Sequence, residues 1–132
     1  MTSNSPSLRS ALGHARGLGS AKEGTNHWWL QRLTAIALVP LTMWLVASVI
    51  ALSGFGHEAF VVWFGRPINA TLMILFLGVA FHHAQLGMQV VIEDYVNPDG
   101  LKIVMVWVIK LTFTAMAIAS LVFTIRIAVL AG

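Results

Sequence analysis

The chain has 132 residues, of which 10% are charged and 58% hydrophobic, with no cysteine and a formal net charge of +3; its mean hydropathy is +0.81. That length fits one domain, and that composition excludes a water-soluble globular protein. The missing cysteines exclude disulfides and iron–sulfur or thiolate ligation by this chain. The basic residues flank apolar segments and form no patch of the kind that binds nucleic acid.

Residues 1–27 are rich in Ser, Gly and Ala and poor in large apolar side chains. They are expected to form a flexible polar tail that orders only against a partner. A secretory signal peptide fits poorly, because the apolar run starts late and is too long. The acid-poor start, with its Ser and Arg, does have mitochondrial presequence character. His27, Trp28 and Trp29 stand where an interfacial aromatic belt would lie. A first span is predicted at about 30–54, since Leu33 to Phe55 contains no Asp, Glu, Lys or Arg. Pro40 within it is expected to give a local kink, because neighbouring helices can compensate for its missing donor. A loop from about Gly54 to Arg66 follows, with His57-Glu58 a weak metal-binding pair. Arg66-Pro67 opens the second span at about 67–93, with proline suited to a first turn. Asn97-Pro98-Asp99-Gly100 is a turn signal, so the second span and the third, about 101–130, should pack antiparallel. Lys102, Lys110 and Arg126 interrupt the third; Lys110 reads as a snorkelling side chain with an acidic phospholipid or a partner as alternatives.

Some 20 apolar residues cross the hydrocarbon core of a bilayer, and lipid demands that every backbone group be satisfied within the segment. The fold predicted is therefore an all-α membrane protein, with three transmembrane helices in residues 28–132 behind a polar cytoplasmic tail. Arg9, Arg16, Lys22 and Arg32 precede the first helix against the single acid Glu23. This bias puts the amino terminus and Tyr95 in the cytoplasm and Gly132 outside.

The stretch HHAQLGMQVVIEDY, His82 to Tyr95, carries the chemistry. An intramembrane imidazole is costly and points to a functional site. His83 and Asp94 lie eleven positions apart, hence on one helix face with about 16 Å of rise between them. His83 can ligate a haem iron through one ring nitrogen, or it can form an interhelical hydrogen bond. Gly87, one turn further on the same face, favours the first by leaving room for a flat macrocycle. His82 points about 100° away, so both histidines cannot face one iron. Tyr95 can donate a hydrogen bond to a quinone carbonyl, with Asp94 ordering water or relaying protons; an interfacial belt tyrosine and a solvated helix end are the plainer alternatives. Arg32, expected at roughly the depth of Asp94, can pair with a haem propionate or serve only as a positive-inside residue.

Together these residues resemble the small hydrophobic membrane-anchor subunit of succinate dehydrogenase (complex II) in its D-type form. The resemblance rests on the polar amino tail and on Arg32, Thr34 and Ala35 as an Arg-x-Thr-Ala start to helix one. It rests further on His83, Asp94 and Tyr95 as a His-x10-Asp-Tyr end to helix two, followed by Pro98 and Lys102. It covers nearly the whole chain. An extra His82, a longer tail and Lys110 depart from the pattern.

The resemblance implies that His83 is an axial ligand of haem b, with the second ligand from a C-type cytochrome b anchor subunit. It also implies that Arg32 lies near the propionates, and that Tyr95 and Asp94 bind and support ubiquinone. A flavoprotein and an iron–sulfur subunit are the implied soluble partners. The expected function is thus a non-catalytic anchor of a succinate:quinone oxidoreductase in a bacterial inner membrane, with the mitochondrial inner membrane as alternative. A quinol:fumarate reductase anchor shares this architecture. A small structural or transport protein is the remaining alternative, disfavoured because the first helix has no acid and the second has acids only at its end.

Overall fold

The computed structural model describes residues 22–131 and shows four helices. They are α1 (Lys22–Leu52), α2 (His57–Phe64), α3 (Pro67–Tyr95) and α4 (Asp99–Ala131). The three long ones are long and apolar enough to cross a membrane, and the described residues contain no strand. The all-α, three-span expectation holds. Of the expected polar tail, residues 22–27 are helical and the rest lies outside the described residues. The helix starts early because nothing from Lys22 to Asn26 stops it except a tolerable Gly24. Its first turns also carry His27 and Leu30, which line a cavity shared with α3. Pro40 sits inside α1, which continues unbroken on both sides.

The segment expected as a loop between the first two spans contains α2. Its sequence, HEAFVVWF, gathers aromatic side chains along one short helix. Trp63 stacks on Trp44 of α1 at 5.6 Å, and Phe60 and Phe64 join the cluster. Phe64 is only 4% exposed. Aromatic burial of this kind contributes more than its area alone, so tertiary packing rather than periodicity makes this helix. Gly65 then passes so close to the end of α4 that a Cβ on it would lie 2.8 Å from the Ala131 carbonyl oxygen. Arg66 and Pro67 begin α3. Behind them the buried Asn69 donates from Nδ2 to the Trp63 carbonyl at 2.7 Å, tying α2 to α3.

The long helices form a row. α3 packs against both α1 and α4, while those two share no comparable contact. Phe81 meets Phe113 edge-on across the α3–α4 seam, and the buried residues of α3 are Asn69, Ala70, Leu86 and Ile92. The outer sides of α1 and α4 leave Ile36, Met43, Ile50, Leu111 and Val129 exposed. In a membrane such faces meet lipid or another helix, and association depends on shape and small residues rather than on water exclusion.

Asn69 supplies a test of the α2–α3 junction. Asn69→Ala removes the shorter of two hydrogen bonds to the Trp63 carbonyl, leaving the Arg66 N–H at 3.4 Å, at a cost of about 0.5–1.5 kcal/mol. Thermal unfolding in detergent is expected to show that loss, whereas Asn97→Ala, at an exposed turn position, leaves the midpoint where it was.

Candidate functional site

Thr34 and His83 meet in the seam between α1 and α3. The Nδ1 of His83 lies 2.9 Å from Thr34 Oγ1. Thr34 directs its own hydroxyl proton back to the Leu30 carbonyl at 2.7 Å, with the Gln31 carbonyl at 3.1 Å. A hydroxyl has one proton to give, so toward the ring Thr34 Oγ1 acts as acceptor. That arrangement goes with the tautomer protonated on Nδ1, which leaves the lone pair on Nε2. Among the described residues Nε2 has no hydrogen-bond partner. A hydrogen bond on one ring nitrogen, fixing the tautomer while the other faces a metal, is how ligating histidines are held.

His82 takes the other direction. It is exposed and lines a cavity of about 490 Å³ with Gln85, Gln89, Glu93 and Lys110. The divergence expected from helical geometry is thus present, and of the two only His83 hydrogen-bonds a side chain of α1. Gly87 has a different surrounding from the one its spacing suggested. A Cβ there would be in ordinary van der Waals contact with Gln31 Nε2 of α1 at 3.5 Å.

The Thr34–His83 contact also sets the levels of the antiparallel helices. Arg32 precedes Thr34 by two residues, so it stands about 3 Å along the axis from the level of His83. The expectation that Arg32 shares the depth of Asp94 is corrected: those two are separated by about 13 Å. The cause is the Thr34–His83 register, which pairs Asp94 with the start of α1. Arg32 lies about 200° around α1 from Thr34 and faces away from α3. It is exposed, and its guanidinium carbon sits 4.2 Å above the Trp28 ring.

Asp94 and Tyr95 occupy the last turn of α3. Both are exposed, Tyr95 by 82%, and neither has a side-chain partner among the described residues. This chain therefore presents the phenol and carboxylate together on an open edge and does not enclose them. His57 and Glu58 fall in the first turn of α2, both exposed. No group of three or more His, Cys, Asp or Glu among the described residues is placed to hold a metal ion.

Two polar stripes were not drawn together from the sequence. His27, Gln31 and Thr34 lie at helical spacing on α1, and His82, Gln85, Gln89 and Glu93 on α3. His27 Nε2 and Gln31 Oε1 are buried without a hydrogen-bond partner among the described residues. The spacing of polar residues in apolar helices was the available signal.

Three apolar spans in a row, with a singly bonded imidazole and polar groups gathered toward one membrane face, define an integral membrane subunit that presents groups to something beyond itself. The chain belongs to the family described as "Succinate dehydrogenase/Fumarate reductase transmembrane subunit", whose profile matches residues 6–126. It is 38% identical over 104 residues to the succinate dehydrogenase hydrophobic membrane anchor subunit of Rickettsia bellii, covering 79% of this chain and 83% of that one. To the protein of the same description from Paracoccus denitrificans it is 40% identical over 81 residues, 61% of this chain and 63% of that one. It is also 35% identical over 92 residues to the succinate dehydrogenase membrane anchor subunit of Reclinomonas americana, covering 67% and 77%. The anchor role expected from the sequence holds.

The Thr34–His83 bond can be measured. Interhelical hydrogen bonds in membrane proteins contribute about 0.6 kcal/mol on average and at most about 1.7. Thr34→Val and His83→Ala should each destabilise the protein, and the double variant should fall short of their sum by an amount in that range. A fully additive cycle in thermal or denaturant unfolding would remove the bond from the structure in solution.

Proposed function

We propose that this chain is the D-type anchor of a succinate:quinone oxidoreductase, in which His83 Nε2 ligates haem b and Tyr95 and Asp94 form part of the ubiquinone-reduction site. The observation that carries the reading is the 2.9 Å approach of His83 Nδ1 to Thr34 Oγ1, which holds the ring by that nitrogen and leaves Nε2 without a hydrogen-bond partner among the described residues. That donor set fits a haem iron, which takes a neutral imidazole nitrogen. A second membrane chain, the C-type cytochrome b subunit, is needed physically, because a row of three helices with one free imidazole cannot enclose a bis-histidine haem. Arg32 supports the reading by its level, close to that of His83, and by its exposure. Its planar guanidinium suits a propionate carboxylate.

When bound, haem b supplies a one-electron redox centre close to the quinone. Every other role falls to this chain's residues and its partners. Flavoprotein and iron–sulfur subunits dock over the Tyr95 end and deliver two electrons from succinate. The Tyr95 hydroxyl donates to a quinone carbonyl oxygen and holds the ring in place. Asp94, exposed beside it, orders water and passes on the two protons that, with the two electrons, complete the quinol. The exposure of both side chains supports a pocket completed by partner subunits. The proposed location is a bacterial inner membrane with the amino end of α1 and Tyr95 on the cytoplasmic side, in accord with the basic residues that precede α1. A quinol:fumarate reductase anchor carries the same geometry, and the family description covers both. Quinone type and the partners' potentials separate them.

The test uses the complex purified in mild detergent through a tag on this chain. Dithionite- and succinate-reduced minus oxidised spectra should show a b-type signal that His83→Ala abolishes or shifts and His82→Ala preserves. Loss in the His82 variant alone would reverse the ligand assignment. For the quinone site, Tyr95→Phe should lower succinate:quinone reductase activity about tenfold or more, in keeping with loss of a positioned donor. Subunit content and spectrum should not change, and full activity in an assembled complex would remove Tyr95 from the site.

A further inference from the structure

The cavity lined by His27, His82, Gln85, Gln89, Glu93 and Lys110 opens between the three long helices, and the mechanism above leaves it without a task. Its depth can be read from the packing. Phe81 meets Phe113 across the α3–α4 seam, which puts Trp107 at about the level of Gly87 and Lys110 at about that of Ala84. On the other seam, Thr34 opposite His83 puts Trp28 and Trp29 at about the level of Gln89. Three exposed tryptophans from two helices thus share one level. Such a belt marks the headgroup layer of a bilayer. About 30 Å further along lie Arg66 and Arg126, one hydrocarbon thickness away. The cavity therefore straddles the belt, with Lys110 and His82 just on its hydrocarbon side and Glu93 on its aqueous side.

Lys110 enters that layer from below. Its Cα stands about one turn inside the belt, and a lysine there extends its stem outward to bring the ammonium to headgroup depth. It is half-buried, and among the described residues no carboxylate pairs with it. Glu93 is engaged by Gln89, whose Nε2 donates to its Oε1 at 2.7 Å. His27 contributes a buried Nε2 that has no hydrogen-bond partner among the described residues. The Lys110 ammonium lies at the deeper end of the cavity's polar lining, the Glu93 carboxylate lies toward water, and the His27 imidazole, near the level of Val90, lies between them. This order matches a zwitterionic headgroup, whose phosphate sits nearer the acyl chains than its amine.

We infer that this cavity binds one glycerophospholipid bearing a primary amine, with its phosphate at the Lys110 ammonium and its own ammonium toward Glu93. Gln85 and Gln89 supply amide donors between the two ends. The acyl chains run down the exposed apolar flank of the row. This assignment is independent of whether His83 ligates haem, and the two are read by different measurements.

The complex is purified in mild detergent as wild type, Lys110→Leu, Lys110→Arg and Glu93→Gln, and its retained lipids are quantified by mass spectrometry. The wild type is expected to hold about one phosphatidylethanolamine per complex, and Lys110→Leu at least fivefold less. Lys110→Arg should keep it, and the reduced-minus-oxidised spectrum should be the same in all. Glu93→Gln, which needs no change inside the membrane, should retain a lipid but lower the ratio of phosphatidylethanolamine to phosphatidylglycerol at least fivefold. On return to lipid nanodiscs, phosphatidylethanolamine should refill the stripped wild type, and inorganic phosphate should not compete. Equal retention in wild type and Lys110→Leu, or an unchanged lipid ratio in Glu93→Gln, would overturn the assignment. So would capture of a protein chain instead of lipid by a photocrosslinking residue at Gln85.

Discussion

The placement of every functional group in this protein depends on how α1 lies against α3. Thr34 opposite His83 and Gln31 opposite Gly87 fix an antiparallel register between two helices that are otherwise largely featureless and apolar. In lipid, apolar faces slide past one another at little cost, because the tails outside are as apolar as leucine. A single satisfied imidazole then counts for more than its energy, since any shift along the seam leaves a buried nitrogen without a partner. Once the register is set, the levels of Arg32, the tryptophans and Asp94 follow.

The same register separates roles that lie close in sequence. His82 and His83 are neighbours, yet one faces a polar cavity and the other a threonine on the next helix. Asp94 and Tyr95 lie three turns from His83 and stand clear of the row. With the tryptophan belt near the level of Gly87 to Gln89, Tyr95 projects about 10 Å beyond it. A group at that height meets soluble partners more readily than lipid. The row geometry also explains why so much apolar surface is open on α1 and α4: a flat layer of three helices has no interior of its own.

Much of the fold was legible because lipid imposes so few solutions. Three charge-poor segments of sufficient length, a proline opening the second and an Asn-Pro-Asp-Gly turn before the third suffice to define three helices and their order. The short α2 was not legible, since its eight residues are shorter than a helix that periodicity can reveal and its cause is the stacking of Trp63 on Trp44. The true start of α1 was missed for a related reason. Polar residues read as tail when considered alone, and they become helix when α3 offers them a polar surface.

The sequence by itself determined which residues stand out as candidates for chemistry. Histidine, aspartate and tyrosine at helical spacing within an apolar run are conspicuous because lipid penalises them, and that penalty is a property of residue type and position along the chain. Only the tertiary structure decided what each one faces. That Thr34 binds the Nδ1 of His83, that Gly87 accommodates Gln31, that Arg32 lies near the level of His83 and far from Asp94, and that Lys110 shares a cavity with Glu93 are all consequences of register. Register is set by side chains from segments tens of residues apart meeting across a seam, so no one segment contains it.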